Sequence, residues 1–485
     1  MEYKITGYKP EKLFHFFEEI SAIPRGSGNE KGISDYLVKF ANDRGLWVYQ
    51  DEAHNVIIKK CGSKGAEDRP AVMLQGHLDM VCEKVAGVEH DFEKDGIDLV
   101  VKDGILKANG TTLGSDNGVA VALMMMVLDD EDLVHPPVEC VFTTEEEVGL
   151  NGARALDKSQ ISARTMINMD SEEEGIATIS CAGGLRIECA REIKREKAEG
   201  TLLTIDISGL KGGHSGTDID KERQNAIRLM ARVLYQVMKE TDGKLVSFAG
   251  GNKDNAIPRE CMASLIYADA DQAKKAEEIA CDLAETLAEE ITPYEEAFAC
   301  EITSEENREA DAVSVEDAKA FITAMYLAPN GVQSRNMKLD GFVVVSTNMG
   351  VARAEEDRLV IVFSPRSSVA SLQEEIKARL GLLADTFGFK AEYAGEYPGW
   401  SYREKSPVRE VFCESYRELF GEELKTEALH AGLECGLFSD AIPGLDAIAV
   451  GPTLYNVHTP EEHLPLDSFE RFYVLLKDVL KRLAE

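Results

Sequence analysis

Basic residues are scarce in this chain of 485 residues, which has 53 lysines and arginines against 87 acidic residues and a formal net charge of −34. Nucleic acids and anionic membranes are bound through basic patches, so we expect neither as a main partner. The longest apolar run, from Val119 to Leu128, is too short to cross a bilayer. The N-terminal sequence MEYKITGYKP lacks the basic start and the apolar stretch of a secretion signal.

Paired cysteines and nucleotide-binding signatures are also missing. None of the ten cysteines forms a CxxC motif, and Cys140, Cys181 and Cys435 lie in apolar or glycine-rich segments. This pattern favours reduced, buried thiols in a cytoplasmic protein. The sequence has neither a Walker-type phosphate loop nor a GxSxG nucleophile elbow. Residues 26–32 resemble a dinucleotide loop, but their last spacing is wrong and no strand precedes them, so we predict a turn into a helix.

The chain has an ordinary globular composition, with 44% hydrophobic and 29% charged residues. Predicted strands and helices alternate in its first part, which indicates a doubly wound α/β fold with a mixed sheet. From residue 185 to 396 the pattern changes to strands and amphipathic helices, and afterwards the first pattern returns. These roughly 210 residues are long for one domain and would fit a duplicated four-strand, two-helix unit, although the sequence shows no clear internal repeat. We therefore predict a catalytic domain of residues 1–184 and 397–485, split by an inserted α+β domain of residues 185–396.

Histidines and acidic residues recur at the ends of predicted strands. His77 and Asp79 follow the run AVMLQ, the glutamates at 145–147 follow VECVF, Asp170 ends TMINMD, and His458 follows DAIAV and a loop. Ligands of open α/β sheets bind at the carboxyl ends of the strands. Acidic ligands with two imidazoles suit zinc-like divalent ions. Because the acidic groups outnumber the histidines, two ions fit this set better than one.

Two of these motifs also admit a purely structural interpretation. His77 and Asp79 share one face of a strand, where Asp79 either orients a metal-bound imidazole or forms an ordinary strand-end pair with it. Asp116, in GTTLGSDNG ahead of an apolar helix, is either a helix cap or a ligand that bridges two ions. We favour the bridging ligand, because three glycines shape a tight loop there.

The two acidic runs are interpreted differently. Three adjacent acids are usually a solvated face, but Glu145–Glu147 follow a buried strand, where their charges would repel each other without a cation. One glutamate can bind metal while its neighbour acts as a general base, and the residues alone leave this register open by one position. The run Glu172–Glu174, after Asp170, is predicted to be an exposed loop.

The motifs GHLDMV, GTTLGSDNGV, TTEEEVGLNGA, INMDSEEEG, ISGLKGGHSG, HAGLECGLF and GPTLYNVHTPEE together resemble the two-zinc exopeptidase and aminoacylase family. Within it they look most like the branch that cleaves aminoacyl-histidine (Xaa-His) dipeptides, and the match runs from about residue 10 to the end of the printed sequence. The resemblance implies two divalent ions, zinc first, with cobalt or manganese as alternatives. It assigns His77 and Asp170 to one ion and Glu147 and His458 to the other, with Asp116 as the bridge.

The resemblance also implies roles for residues that do not bind metal. In the catalytic domain Glu146 is the general base and Asp79 orients His77, while Glu145 stands where the family usually has Asp. The bond between Asp116 and Asn117 is expected to be cis.

Three further roles fall in the inserted domain, which the resemblance identifies as a substrate-binding lid. His214 assists oxyanion stabilisation and contacts the substrate, Arg366 holds the substrate carboxylate, and Asn255 is a weaker substrate-binding candidate. Glu434, in the motif HAGLECGLF of the catalytic domain, is at least as consistent with a structural role.

We therefore predict a cytoplasmic dinuclear zinc metallopeptidase that hydrolyses unblocked dipeptides, including Xaa-His and β-alanyl-histidine types. A hydroxide that bridges the metal ions would attack, with Glu146 as the base. The alternatives are a deacylase of N-acyl amino acids on the same centre and a non-catalytic metal-binding relative. The predicted partner is a small dipeptide. The oligomeric state is left open, because a double-length lid could supply His214 within one chain, whereas single-lid relatives borrow the matching histidine from a second subunit of a homodimer.

Overall fold

The computed structural model describes residues 3–338 and 341–485, which form two compact units. Unit 1 contains the described residues up to Cys181, together with Trp400–Leu429 and Leu433–Glu485, and unit 2 contains Ala182–Gly399 and His430–Gly432. The chain passes from one unit to the other after Cys181 and before Trp400. Both points lie within three residues of the domain boundaries at 184 and 397 that we expect from the sequence. Nothing in the sequence predicts that His430–Gly432 joins the second unit.

Helices and strands are numbered in chain order. The first segment of unit 1 contains α1 (Glu11–Ser21), α2 (Lys31–Asp43), β1 (Trp47–Gln50), β2 (Val56–Lys60), β3 (Val72–His77), β4 (Leu99–Lys102), β5 (Ile105–Ala108), α3 (Ser115–Asp129), β6 (Val138–Thr143), α4 (Asn151–Ala155), β7 (Thr165–Asn168) and β8 (Ile176–Cys181). Unit 2 contains β9 (Gly183–Glu192), β10 (Arg195–Ser208), β11 (Gly213–His214), α5 (Ala226–Glu240), β12 (Lys244–Gly250), β13 (Ala256–Ile257), β14 (Cys261–Tyr267), α6 (Ala270–Ile291), β15 (Ala299–Val313), α7 (Val315–Leu327), β16 (Gly331–Asn336), β17 (Phe342–Ala354), β18 (Arg358–Ser367), α8 (Ala370–Thr386) and β19 (Lys390–Tyr397). The last segment of unit 1 contains α9 (Pro407–Phe420), β20 (Lys425–Leu429), α10 (Glu434–Ala441), β21 (Asp446–Ala449), β22 (His463–Pro465) and α11 (Leu466–Ala484).

Unit 1 is built on an eight-stranded sheet in the order β1-β2-β6-β3-β7-β21-β8-β20. Its four central strands, β6, β3, β7 and β21, run parallel to one another, whereas β1 and β2 are antiparallel at one edge. Residues of α1, α2, α3, α9 and α11 form a large apolar core, and residues of α4 and α10 form a separate one. Central strands covered on both faces are rich in apolar residues, and the predicted mixed α/β fold is confirmed.

Unit 2 contains two copies of one βαββαβ arrangement. In the first copy, β10 pairs with β15 on one side and with β14 on the other, and β14 pairs with β12. In the second copy, β9 pairs with β19 and β18, and β18 pairs with β17. The two copies join edge to edge through β12 and β17. The first copy is nested between β9 and the remaining elements of the second.

Two properties inferred from composition can be compared with the structure. All ten cysteines are free thiols, and Cys140, Cys181 and Cys435 are buried, as predicted. Within residues 3–338 and 341–485, none of the helices combines the length and apolarity required of a membrane span.

Candidate metal centre

The predicted metal ligands of unit 1 lie together where its parallel strands end. His77 is the last residue of β3, Glu147 follows β6, Asp170 follows β7, and His458 lies in the loop after β21. Because these four strands are neighbours and run in the same direction, their carboxyl ends meet at one edge of the sheet. Asp116 reaches the same place from the start of α3.

Asp116 lies between the two histidines. Its Oδ1 is 3.0 Å from His77 Nε2, and its Oδ2 is 3.1 Å from His458 Nε2. Asp170 Oδ1 is 3.4 Å from His77 Nε2, and Glu147 Oε1 is 3.0 Å from His458 Nε2. The five side chains thus form two triads that share one carboxylate, within 4.8 Å of one another in each triad.

The donor set of the two triads fits divalent cations. His77 Nδ1 lies 3.1 Å from the Asp79 backbone oxygen and 3.3 Å from Asp79 Oδ1. A proton on Nδ1 therefore leaves the Nε2 lone pair facing the oxygens of Asp116 and Asp170, so that only acceptors meet at this point. Such a cluster requires a proton or a cation at its centre. Three carboxylates against two divalent ions leave one positive charge for the reacting groups, which suits a hydrolytic centre.

The electrostatics of the centre reflect the same convergence. In the metal-free protein a proton on each Nε2 takes the place of a cation. Although burial opposes ionisation, hydrogen bonds from His458 and His77 then hold the pKa of Asp116 far below its ordinary value. Hydrogen bonds to Asp116 and Glu147 raise the pKa of His458 to about 10. Burial is the main reason why the pKa of Asp170 rises to about 6. Protons therefore compete with metal ions for this site.

Asp79 connects His77 to the segment that contains Glu146 and Glu147. Its carboxylate accepts the backbone N–H groups of Glu146 at 3.0 Å and Glu147 at 3.2 Å, and the hydroxyl of Ser27 at 2.8 Å. One buried carboxylate therefore orients an imidazole and fixes the two glutamates relative to it. The sequence predicts only the first of these contacts.

Glu146 lies beside the centre but belongs to neither of the two triads that share Asp116. It lies within 4.8 Å of His77 and Glu147, and no hydrogen-bond or ion-pair partner of its carboxylate occurs in the described part of the chain. Burial is the main cause that raises the pKa of Glu146 to about 9. Its carboxyl group therefore lies beside the centre without a fixed partner, as a group that exchanges protons must.

Two residues that sequence reasoning missed hold the loop before Asp116. The buried Arg25 donates to the backbone oxygens of Leu78, at 2.8 Å, and Gly114. The buried carboxylate of Glu462 accepts the backbone N–H groups of residues 113, 114 and 115 at 2.7, 3.0 and 2.7 Å. The only signal in the sequence was the pair of adjacent glutamates at the end of NVHTPEE. The sequence does not show which of the two is buried.

Glu434 has the structural role that the sequence left open. It begins α10, is fully buried, and accepts hydrogen bonds from Gln75 Nε2 at 2.5 Å and Thr143 Oγ1 at 2.8 Å. Gln75 Oε1 in turn accepts from Asn168 Nδ2 at 2.6 Å. This chain of hydrogen bonds ties together β3, β6 and β7 close to their carboxyl ends.

Two smaller expectations also concern this region. The Asp116–Asn117 bond is cis, as the resemblance implies, and Asn117 Nδ2 donates to Asp170 Oδ1 at 2.8 Å. Glu172 and Glu173 are exposed, as predicted. Glu174 differs, because it forms an ion pair with Arg471 at 2.7 Å and is only partly exposed.

The three candidates from the inserted domain lie in unit 2. His214 pairs with Ala256 across β11 and β13, next to the exposed Asn255. His214 Nδ1 accepts the backbone N–H groups of Gly216 at 3.2 Å and Thr217 at 3.1 Å, which places the ring proton on Nε2. Burial and then the charge of Arg366 lower the pKa of His214, so the ring is neutral.

Arg366 is a buried cation without a carboxylate partner in the described residues. Only 8% of its surface is exposed, its terminal nitrogen donates to Tyr397 Oη at 2.8 Å, and its Nε has no partner. A buried guanidinium usually pairs with an anion. The absence of an internal anion makes Arg366 available to an anionic ligand.

Comparison with known proteins gives matches that span most of the chain. The model of peptidase family M20/M25/M40 matches residues 73–482. The cytosol non-specific dipeptidase of Escherichia coli (strain K12) is 36% identical over 482 residues, which is 99% of each chain. The crystal structure of aminoacylhistidine dipeptidase from Vibrio alginolyticus is 33% identical with a TM-score of 0.93, covering 99% of this chain and 98% of that one. An aminopeptidase from Bacillus cereus shares the fold alone, at 16% identity and a TM-score of 0.56 over 99% of this chain and 100% of its own.

Proposed function

This chain belongs to peptidase family M20/M25/M40, and from that premise we propose that it is a metal-dependent dipeptidase that hydrolyses unblocked dipeptides. The family resemblance seen in the motifs is thereby confirmed. Support for the substrate class comes from two similar proteins that match nearly the whole chain, one named a cytosol non-specific dipeptidase and the other an aminoacylhistidine dipeptidase. On the same basis we propose that Xaa-His and β-alanyl-histidine dipeptides are among its substrates and that it acts in the cytoplasm.

The observation that carries this proposal is the position of Asp116 between His77 and His458, with one oxygen facing each imidazole. We propose that His77 and Asp170 hold one divalent ion, that Glu147 and His458 hold the other, and that Asp116 bridges them. Zinc is our first assignment, because mixed histidine and carboxylate ligands suit it, with cobalt and manganese as alternatives. When bound, the two ions polarise the scissile carbonyl and lower the pKa of the attacking water.

Proton transfer is assigned to Glu146. Its unpartnered carboxylate accepts a proton from the attacking water and then donates it to the leaving amine. Asp79 keeps Glu146 in place through the backbone N–H of that residue, and it keeps His77 in the tautomer whose Nε2 is free to bind metal. Changing Asp79 would therefore disturb both the ligand and the base.

Substrate contacts are assigned to unit 2, which we propose is the lid domain, whereas unit 1 is the catalytic domain. His214 presents its Nε2 proton to the carbonyl oxygen on which negative charge develops. Arg366 binds the carboxylate at the C-terminal end of the dipeptide, because a guanidinium matches a carboxylate with two parallel hydrogen bonds. Asn255, adjacent to His214, supplies a further polar contact.

A direct comparison of substrates tests the function. The purified protein, loaded with zinc, cobalt or manganese, is assayed on a panel of free dipeptides and on the matching N-acetyl amino acids. We expect turnover of the dipeptides and two metal ions per chain by elemental analysis. Exclusive turnover of the acetylated compounds would replace the proposal with a deacylase, and metal binding without any hydrolysis would leave a binding protein. Light scattering during size exclusion tests whether the protein is a homodimer.

A further inference from the structure

A pocket of about 450 Å³ opens beside Glu147 in unit 1. Its walls come from the turn before α2, from the segment after β3, and from residues near Phe92 and Val148. Met80, Val81, Phe92 and Val148 give it apolar surface. The volume lies in the range of about 300–1,000 Å³ typical of pockets that bind small ligands. The mechanism described above leaves this pocket without a role.

The construction of the pocket is specific rather than incidental. Gly26 pairs with Met80 through a β-bridge, and a Cβ atom at Gly26 would lie only 2.6 Å from Cys82 Sγ. The missing side chain therefore allows the thiol to pack against the turn. Across the pocket, Asn29 Nδ2 donates to the Glu93 backbone oxygen at 3.4 Å and connects two of the walls.

The position of the pocket identifies which part of a dipeptide it can receive. Glu147 lines the pocket and also belongs to the proposed metal centre, where the scissile amide must lie. The contacts proposed for the C-terminal residue all belong to unit 2, whereas every residue of the pocket belongs to unit 1. Because the carboxylate of the C-terminal residue is assigned to Arg366 of unit 2, a pocket formed by unit 1 alone suits the side chain of the N-terminal residue.

We propose that this pocket receives the side chain of the N-terminal residue of the dipeptide and favours apolar or basic side chains there, an inference that rests on the proposed dipeptidase function. The apolar walls bury an aliphatic or aromatic side chain. The exposed carboxylate of Glu93 has no ion-pair partner among the described residues, so it is available to the terminal charge of lysine or arginine. Acidic N-terminal side chains are disfavoured, because Glu93 repels them.

Filling the pocket tests its role. Cys82→Trp places a large ring in it, and Cys61→Trp, at another exposed cysteine, is the matched control. The readout is kcat/KM for Leu-Leu relative to Gly-Leu, which differ only in the N-terminal residue. We expect Cys82→Trp to lower this ratio at least about tenfold, since single methylene groups in apolar pockets change kcat/KM by about 10–200-fold. The ratio for Ala-Leu over Ala-Gly, which varies only the C-terminal residue, stays within about twofold of the wild-type value.

Two further variants keep the test decisive if Cys82→Trp does not fold. Phe92→Ala removes a wall and also lowers the ratio of Leu-Leu to Gly-Leu. Glu93→Gln lowers the ratio of kcat/KM for Lys-Leu to that for Leu-Leu.

The outcomes separate the two proposals. Equal effects on both substrate series, or an effect on the C-terminal series alone, would overturn the assignment of the pocket while the dipeptidase function stands. A wild-type protein that hydrolyses no dipeptide would overturn the proposed function and the assignment of the pocket with it.

Discussion

Glu462 offers the sharpest test of how this protein prepares its metal centre. Its two carboxylate oxygens accept the backbone N–H groups of residues 113–116, four donors at 2.7 to 3.4 Å, and also the Ser115 hydroxyl at 2.5 Å. The loop fixed in this way ends at Asp116, the proposed bridging ligand. Replacing Glu462 with glutamine keeps the size of the side chain but removes its charge and one of its two acceptors.

The expected magnitude follows from this count. Oε2 accepts the N–H groups of Leu113 and Gly114, and Oε1 accepts those of Ser115 and Asp116. Whichever way the new amide turns, at least two buried donors lose their acceptor, at about 1–3 kcal/mol each. We therefore expect the free energy of unfolding of the metal-free Glu462→Gln protein to fall by roughly 2–6 kcal/mol. Metal affinity should fall by about 10–100-fold, as for other changes to groups that orient ligands.

Two assays separate these effects. Competition with a chromophoric chelator measures zinc affinity, and urea denaturation of the chelated protein measures the free energy of unfolding. Glu461→Gln is the control, because Glu461 is adjacent in sequence but exposed. At saturating zinc, the kcat of Glu462→Gln should approach that of the wild type. If zinc affinity is unchanged while stability falls, the reasoning that links Glu462 to Asp116 is wrong.

The remaining predictions concern catalysis and pH. Glu146→Gln should retain two metal ions per chain by elemental analysis but lose about 10²–10⁴-fold in kcat, with Glu145→Gln as the neighbouring control; loss of the metals together with activity would contradict its assignment as the base. His214→Ala should lower kcat by about 10²–10³-fold with little change in metal content, and a change confined to KM would argue against oxyanion stabilisation. Burial raises the pKa of Glu434 from 4.5 to about 7, so its contribution to stability is lost as the pH rises through this interval. Glutamine does not ionise, so Glu434→Gln should escape this loss. In urea denaturation of metal-free protein, the free energy of unfolding of Glu434→Gln minus that of the wild type should be about 2–3 kcal/mol larger at pH 8 than at pH 5, and equal differences at the two pH values would refute this.

The sequence predicted those parts of the fold that depend on local pattern. Apolar runs with acidic or imidazole groups at their ends identified β3, β6 and β7, because buried parallel strands are rich in apolar residues on both faces. Neighbouring parallel strands necessarily bring such ends together, so the meeting of His77, Glu147 and Asp170 follows from strand order. The motifs also identified the family, which the comparisons confirm.

The parts that the sequence did not predict depend on contacts between distant segments. Arg25 and Glu462 form hydrogen bonds with backbone groups. Every residue has such groups, so no residue type in the sequence indicates the partner. Their burial, at 2% exposure each, is a tertiary property that two charged residues in polar segments do not reveal. The roles of His214, Arg366 and Asn255 were taken from the resemblance and stay predictions, since a histidine in a glycine-rich loop is by itself ordinary.

The nested arrangement of unit 2 has a genetic consequence. Arg195, at the start of the first βαββαβ copy, pairs directly with Val313 at its end. A segment whose two ends are adjacent can be excised or acquired in one step, because the flanking chain needs only a short connection to close the gap. Deleting residues 195–313 would join β9 to α7 and make the second copy continuous along the chain, while the edge of β17 that pairs with β12 would be uncovered. A single insertion of residues 195–313 would therefore be enough to convert a one-copy domain into the two-copy domain seen here.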